Sequence, residues 1–217
     1  MKVISVVGAR PQFVKLKPVV DALEAVGAQH EIVHTGQHYD ANMSDTFFSG
    51  LGLPDPTVNL EVGSGSHADQ TARMLVGLEQ IVTASRPDWV LVYGDTNSTL
   101  AGALASAKVG VPVAHIEAGL RSRNREMPEE INRVMTDHAS DILFAPTDLA
   151  YENLKSEGLL NRSYLVGDVM ADLVLSARDL EPDLASVKTA VPAGKEYLVA
   201  TIHRPSNTDS PGPCVSG

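Results

Sequence analysis

The chain has 217 residues, more than one average domain and few for two full α/β domains, so length favours one domain with an extension. Apolar residues make up 43% and charged residues 20%, and no uninterrupted apolar run is long enough to span a membrane, which excludes a helical membrane protein. A formal net charge of −10 argues against a nucleic-acid partner, which needs clustered Lys and Arg, yet leaves room for a small anion held by local cations and helix N-termini.

Met1-Lys2 leads straight into Val3 to Val7, too short for the core of a signal peptide and lacking a small-residue cleavage region, so it reads as a first strand of a cytoplasmic protein. The single cysteine, Cys214, cannot form an internal disulfide and agrees with a reducing compartment. Glu31 to Thr35, Trp89 to Tyr93, Val111 to Ile116, Ile142 to Ala145 and Tyr164 to Val166 read as further buried strands. Between them, Pro11 to Val26 carries Phe13, Leu16, Val19, Val20 and Leu23 at helical spacing, with Gly27 as a stop. Ala68 to Ala84, Thr96 to Lys108, Glu129 to His138 and Thr147 to Ser156 read as helices by the same logic.

Alternating strand and helix implies right-handed crossovers, and near-continuous apolar strands imply a parallel sheet covered on both faces. The predicted fold is therefore α/β, a doubly wound, Rossmann-like parallel sheet over residues 1–180. Residues 181–194 carry three prolines and no strong period, which reads as a linker before one more apolar run, Tyr197 to Ile202. Beyond His203-Arg204, the Pro-rich stretch to Pro213 supplies no core, so 181–217 is read as a linker and the start of a second domain.

In such a sheet, ligands bind outside the carboxyl ends of the strands. The first strand ends in Gly8-Ala9-Arg10-Pro11, with Lys15 one turn on, suited to a phosphate or simply to a strand-helix turn. Gly94-Asp95-Thr96 follows the third predicted strand, where Asp95 is either a helix cap or a site carboxylate. His115-Ile116-Glu117 ends the fourth, with a Glu117–Arg121 ion pair as the alternative to chemistry. Pro128-Glu129-Glu130 opens a helix, where carboxylates are favoured by the dipole alone. Asp95, Glu117 and Glu129 gathered in one crevice would suit acid/base work, because close like charges hold one carboxyl protonated. His34, His115 and His138 read as core or boundary residues, and no His-x-x-x-His or cysteine pair supports a metal. Gln37-His38 follows the second strand as a crevice or turn segment, and His203 stands just after the last apolar run.

Taken together, Gly8-Ala9-Arg10-Pro11-Gln12-Phe13-Val14-Lys15, Thr35-Gly36-Gln37-His38, Gly94-Asp95-Thr96, His115 to Arg121, Pro128 to Arg133 and His203-Arg204 resemble the non-hydrolysing UDP-N-acetylglucosamine 2-epimerases in order and spacing. The resemblance implies the N-terminal half of a glycosyltransferase-B-type fold, followed by only the start of the nucleotide-gripping domain. It implies reversible interconversion of UDP-GlcNAc and UDP-ManNAc through elimination of UDP and a 2-acetamidoglucal. Asp95, Glu117, Glu129 and His203 are implied as catalytic, and Arg10, Lys15, Gln37, His38, Arg121 and Arg133 as substrate-binding. No metal or other cofactor is implied, and the partners are a UDP-sugar and a second copy in a homodimer. The family motif after the histidine usually reads His-Arg-x-Glu-Asn, whereas Ser206 stands at the glutamate position. The expectation is a chain inactive alone, with a hydrolysing epimerase or a non-catalytic dimerising fragment as the alternatives.

Overall fold

The computed structural model describes residues 1–37, 48 and 50–177. The chain divides into two compact units, Met1–Arg178 and Asp179–Gly217, and the second lies outside the described residues. The expected linker, the strand at 197–202, His203 and His38 all fall outside them as well.

The first unit is one seven-stranded sheet, all its pairings parallel: β1 Lys2–Val7, β2 Gln29–His34, β3 Val58–Asn59, β4 Trp89–Tyr93, β5 Val113–Ile116, β6 Ile142–Ala145 and β7 Ser163–Leu165. Spatial order is β3-β2-β1-β4-β5-β6-β7, so the chain builds outward from β1 on one side and returns to build outward on the other. The described α-helices are α1 Arg10–Ala25, α2 His67–Ser85, α3 Asn97–Lys108, α4 Pro128–Ala139, α5 Asp148–Ser156 and α6 Val169–Ala177. The doubly wound parallel sheet expected from the alternation is the one observed.

The two-residue period of β1 sends Ile4 and Val6 to one face, against Met74, Leu78 and Val82 of α2 and Ala101 and Ala105 of α3. Val3 and Val7 go to the other, against Phe13, Leu16 and Val20 of α1. Burial on both faces explains why the strands read as continuous apolar runs. Two elements escape sequence reading. β3 has two residues, too few for a period, and α6 reads Val-Met-Ala-Asp-Leu-Val-Leu-Ser-Ala, mostly apolar with only Asp172 and Ser176 polar, so no clear stripe stands out, and Val174 and Leu175 are exposed. β5 begins at Val113 and not Val111, because Pro112 has no N–H to give the ladder.

The ends of β1 and β4 lie side by side where the strand order reverses, and Gln12 on α1 ties them together. Pro11 in the first turn starts α1 without wasting a donor. The buried Gln12 carboxamide oxygen accepts the Gly8 N–H at 2.7 Å and the Ala9 N–H at 3.1 Å. Its nitrogen donates to the Tyr93 carbonyl at 2.9 Å and to Thr99 Oγ1 at 3.0 Å. Gln12→Leu is expected to strand two buried N–H groups and to lower stability by about 3 kcal/mol in urea unfolding at neutral pH. A change within about 0.5 kcal/mol would contradict this account of the brace.

Candidate functional site

Three strand ends meet at the reversal. Tyr93 of β4 is in register with Ile116 of β5, so the next residues, Gly94 and Glu117, are neighbours. Gly94 has φ +64°, and a Cβ there would lie 3.2 Å from Lys15 Nζ and 3.8 Å from Glu117 Oε1. A glycine therefore permits both the turn and the approach of these two side chains. Lys15 Nζ and Glu117 Oε2 form an ion pair at 3.0 Å, with side chains 11% and 15% exposed. Glu117 itself has φ +72°, a left-handed conformation that costs a non-glycine residue about 1–3 kcal/mol and is held only where the surroundings enforce it.

Asp95 is not the helix cap. Thr96 is, its hydroxyl accepting the Thr99 N–H at 3.3 Å. The Asp95 carboxylate instead accepts from Arg133 on α4, whose other guanidinium nitrogen donates to Glu130 at 3.1 Å. Asn132, one residue back, donates to the Asp95 carbonyl at 3.0 Å and to Asn97 Oδ1 at 3.1 Å. Glu130 is buried and accepts the backbone N–H groups of Ser122 and Arg123 and the Ser122 hydroxyl, each at 2.9 Å. Burial pushes its carboxyl up, but those hydrogen bonds and Arg133 outweigh burial, and the net direction is below the usual carboxylate range.

The Pro-Glu-Glu pair therefore splits. Glu130 anchors the 122–123 loop, while Glu129 is exposed and makes no hydrogen bond or ion pair among the described residues. Asp95 and Glu117 each have a cation, Arg133 for Asp95 and Lys15 for Glu117.

Beneath this edge lies a buried ionic group. His115 on β5 is fully buried, with Nδ1 2.6 Å from Asp137 Oδ1 and Nε2 2.7 Å from the Gly94 carbonyl. Asp137 Oδ2 accepts the Gly119 N–H at 3.1 Å and pairs with Arg121 at 2.7 Å. Arg121 grips Glu157 with two bonds of 2.7 Å and donates to the Leu120 carbonyl. The Glu117–Arg121 pair that the sequence allowed is thus replaced by Glu117–Lys15 and by Arg121 with Asp137 and Glu157. Burial raises the Asp137 carboxyl, but His115 and Arg121 outweigh it, and it sits below the usual range. Gly119, at φ +82°, lets this loop close on α5, since a Cβ would lie 2.3 Å from the Ala150 carbonyl oxygen.

Of the other expected site residues, Arg10 is exposed at the start of α1, beside the Gly8 turn. Gln37 is buried, its side-chain oxygen accepting from the Ser98 N–H at 3.0 Å and the Ser98 hydroxyl at 2.7 Å. His38 and His203 lie outside the described residues. Sequence reasoning missed Gln12, Glu130, Asn132 and the His115–Asp137 pair. A glutamine in the first turn of a predicted helix was a signal for Gln12. The Asp137 partnership spans 22 residues and leaves no local trace. No group of three His, Cys, Asp or Glu among the described residues is placed to hold a metal ion. A cavity of about 590 Å³ between α1 and α6 has, among the described residues, an apolar lining with Glu117, Asp168 and Asp172 and no Lys or Arg, the wrong charge for a diphosphate.

A doubly wound domain of this kind binds its ligands outside the carboxyl ends of the strands at the topological switch point, where these paired carboxylates and cations stand. The sequence profile of the family described as UDP-N-acetylglucosamine 2-epimerase matches residues 21–215, and the chain belongs to that family. It is 51% identical over 211 residues to a UDP-N-acetylglucosamine 2-epimerase homolog of Methanococcus maripaludis, covering 96% of this chain and 59% of the relative. A UDP-2,3-diacetamido-2,3-dideoxy-D-glucuronate 2-epimerase of Pseudomonas aeruginosa is 49% identical over 215 residues, covering 97% and 60%. The crystal structure of Methanocaldococcus jannaschii UDP-GlcNAc 2-epimerase in complex with UDP-GlcNAc and UDP superposes with a TM-score of 0.83 at 46% identity, covering 88% of this chain and 54% of that one. The chain thus spans little more than half the length of the proteins it matches.

Asp137→Asn is expected to cost about 3–5 kcal/mol at neutral pH, because it leaves Arg121 without its buried partner. A carboxyl depressed in the folded state contributes stability that is present above its unfolded value, about 3.9, and is lost as pH falls through the folded value. The wild-type chain should therefore lose stability below about pH 4 more steeply than Asp137→Asn, read from urea unfolding as a function of pH. Parallel curves would contradict the assignment.

Proposed function

We propose that this chain supplies the acid/base edge of a UDP-N-acetylglucosamine 2-epimerase. The observation that carries the reading is the pair of cation-matched carboxylates, Glu117 with Lys15 and Asp95 with Arg133, on adjoining strand ends at the switch point. The family membership and the relative bound to UDP-GlcNAc and UDP support it.

In this reading a carboxylate takes the C2 proton, the C1–O bond breaks with its electron pair leaving on UDP, and a C1=C2 double bond forms. UDP then adds back to C1 while C2 receives a proton on the opposite face. Asp95 and Glu117 carry the proton transfers, Glu129 supports them, and Arg10, Lys15 and His203 serve the diphosphate. His38 and Arg133 complete the binding set, Arg133 by holding Asp95, while Gln37 and Arg121, engaged with Ser98 and with Asp137 and Glu157, act by fixing the turns around it. Lys15 couples the two halves of the reaction. A diphosphate that draws its ammonium away releases the Glu117 carboxylate from its counter-ion. The setting is the cytoplasm and the assembly a homodimer, supported by the lone Cys214 and by the shallow apolar groove between α2, α3 and α4. Sedimentation should give a dimer at micromolar concentration, and a monomer throughout would contradict that part.

The activity test follows deuterium at C2 of UDP-GlcNAc in D₂O. It uses the 217-residue chain and the same chain extended to its relatives' length with the C-terminal part of the M. jannaschii protein. We expect exchange with UDP-ManNAc formation in the extended protein, none or little in the shorter chain, and a loss of about 100-fold or more on Glu117→Gln. Release of unbound N-acetylmannosamine would instead select a hydrolysing enzyme. Turnover of only the diacetamido-glucuronate nucleotide would move the substrate to that of the P. aeruginosa relative.

A further inference from the structure

His115 stands two residues before Glu117 on β5, and neither of its ring nitrogens meets a donor. Nε2 faces the Gly94 carbonyl at 2.7 Å, an atom that only accepts. Nδ1 faces Asp137 Oδ1 at 2.6 Å, and the other oxygen of that carboxylate already accepts from Gly119 and Arg121, which commits it to the ionised form. A neutral imidazole has one N–H and can satisfy one of these oxygens. Its second nitrogen would then turn a lone pair toward an oxygen lone pair in a fully buried place, where an unmet acceptor is costly. Charge balance points the same way. The charged groups gathered here are Asp137 from α4, Arg121 from the loop after β5 and Glu157 at the end of α5, with His138 3.5 Å from Glu157 at the surface. Two carboxylates against Arg121 alone leave an excess negative charge, and a second cation at His115 cancels it.

We propose that His115 is a doubly protonated imidazolium and the positioning residue of the acid/base edge, clamping the Gly94–Asp95 turn to the strand that carries Glu117. The inference rests on the epimerase reading for its catalytic meaning but not for its geometry. The Gly94 peptide is tied to β5 at both ends, its N–H donating to the Ile116 carbonyl at 3.0 Å and its carbonyl accepting from His115. Asp95 is the next residue, so the backbone that carries one carboxylate is locked against the backbone that carries the other. The same imidazolium reaches Gly119 through Asp137, which fixes the far side of Glu117. His115 touches no substrate in this account and acts through the turn.

The test begins with the 217-residue chain, its histidine rings labelled with ¹⁵N, in two-bond ¹H–¹⁵N spectra at neutral pH. Both His115 nitrogens are expected at protonated-type shifts with slowly exchanging ring protons, whereas an unprotonated-type nitrogen would overturn the proposal. Amide hydrogen exchange then compares His115→Gln, which keeps one donor, with the unsubstituted chain. The Gly94 and Thr96 amides should exchange at least about 10-fold faster in the variant, relative to amides of β6. Unchanged exchange at both would overturn the positioning role, and if the variant does not fold, the ring spectra of the unsubstituted chain decide. In a protein extended to its relatives' length, His115→Gln should lower kcat at least about 10-fold with KM little changed. A missing C2 exchange in the unsubstituted extended protein would overturn the epimerase reading alone, because neither the ring spectra nor the amide exchange needs a substrate.

Discussion

Gln12 holds the carboxyl ends of β1 and β4 together by accepting from one strand's turn and donating to the other's last carbonyl, and the site is laid out from that joint. A doubly wound sheet opens a crevice where its strand order reverses, because the connections that follow the two central strands leave toward opposite faces. Here α1 covers one face and α3 the other. What remains between them is an edge of backbone turns, and Lys15, Asp95 and Glu117 stand on or beside it. Without the brace, two buried N–H groups at Gly8 and Ala9 would lack partners, so the turn that aims α1 depends on a residue with no part in the chemistry.

Charge is distributed with the same economy. The chain is acidic overall, yet each buried or half-buried carboxylate near the edge has a named counter-charge or a set of N–H donors. Glu130 and Asp137 are held firmly ionised and serve the scaffold. Asp95 and Glu117 sit closer to solvent, each with one cation among the described residues, and in the proposed reading they are the groups that a phosphate-bearing ligand perturbs by drawing the cation away. The left-handed backbone of Glu117 fits the proposed division, in which strain at a strand end aims the carboxylate.

The sheet was legible because its central strands are buried on both faces and α1 and α2 carry buried stripes at helical spacing, and periodicity reports burial directly. Asp95, Glu117 and Lys15 were legible because the carboxyl ends of strands are where such folds bind ligands. The partners were not. Glu117 with Arg121 looked like a pair four residues apart, but that spacing implies contact only on a helix, and Glu117 lies in a left-handed turn. Glu129 and Glu130 were indistinguishable in sequence, and only the helix's orientation, set by Asn132 and Arg133 reaching the Asp95 turn, buries one and exposes the other. His115 read as a core residue and is one, but its role comes from Asp137, which the fold alone brings to it.

The central claim is that the reacting carbon sits over the joined ends of β1, β4 and β5, between Asp95 and Glu117. A crystal structure of the protein, extended to its relatives' length and with UDP-GlcNAc bound, tests it most directly. The account predicts C2 of the sugar within about 3–3.5 Å of a carboxylate oxygen of Asp95 or Glu117, with the Lys15 ammonium turned from Glu117 toward the diphosphate. A sugar bound elsewhere, with the Lys15–Glu117 and Arg133–Asp95 pairs undisturbed, would contradict it.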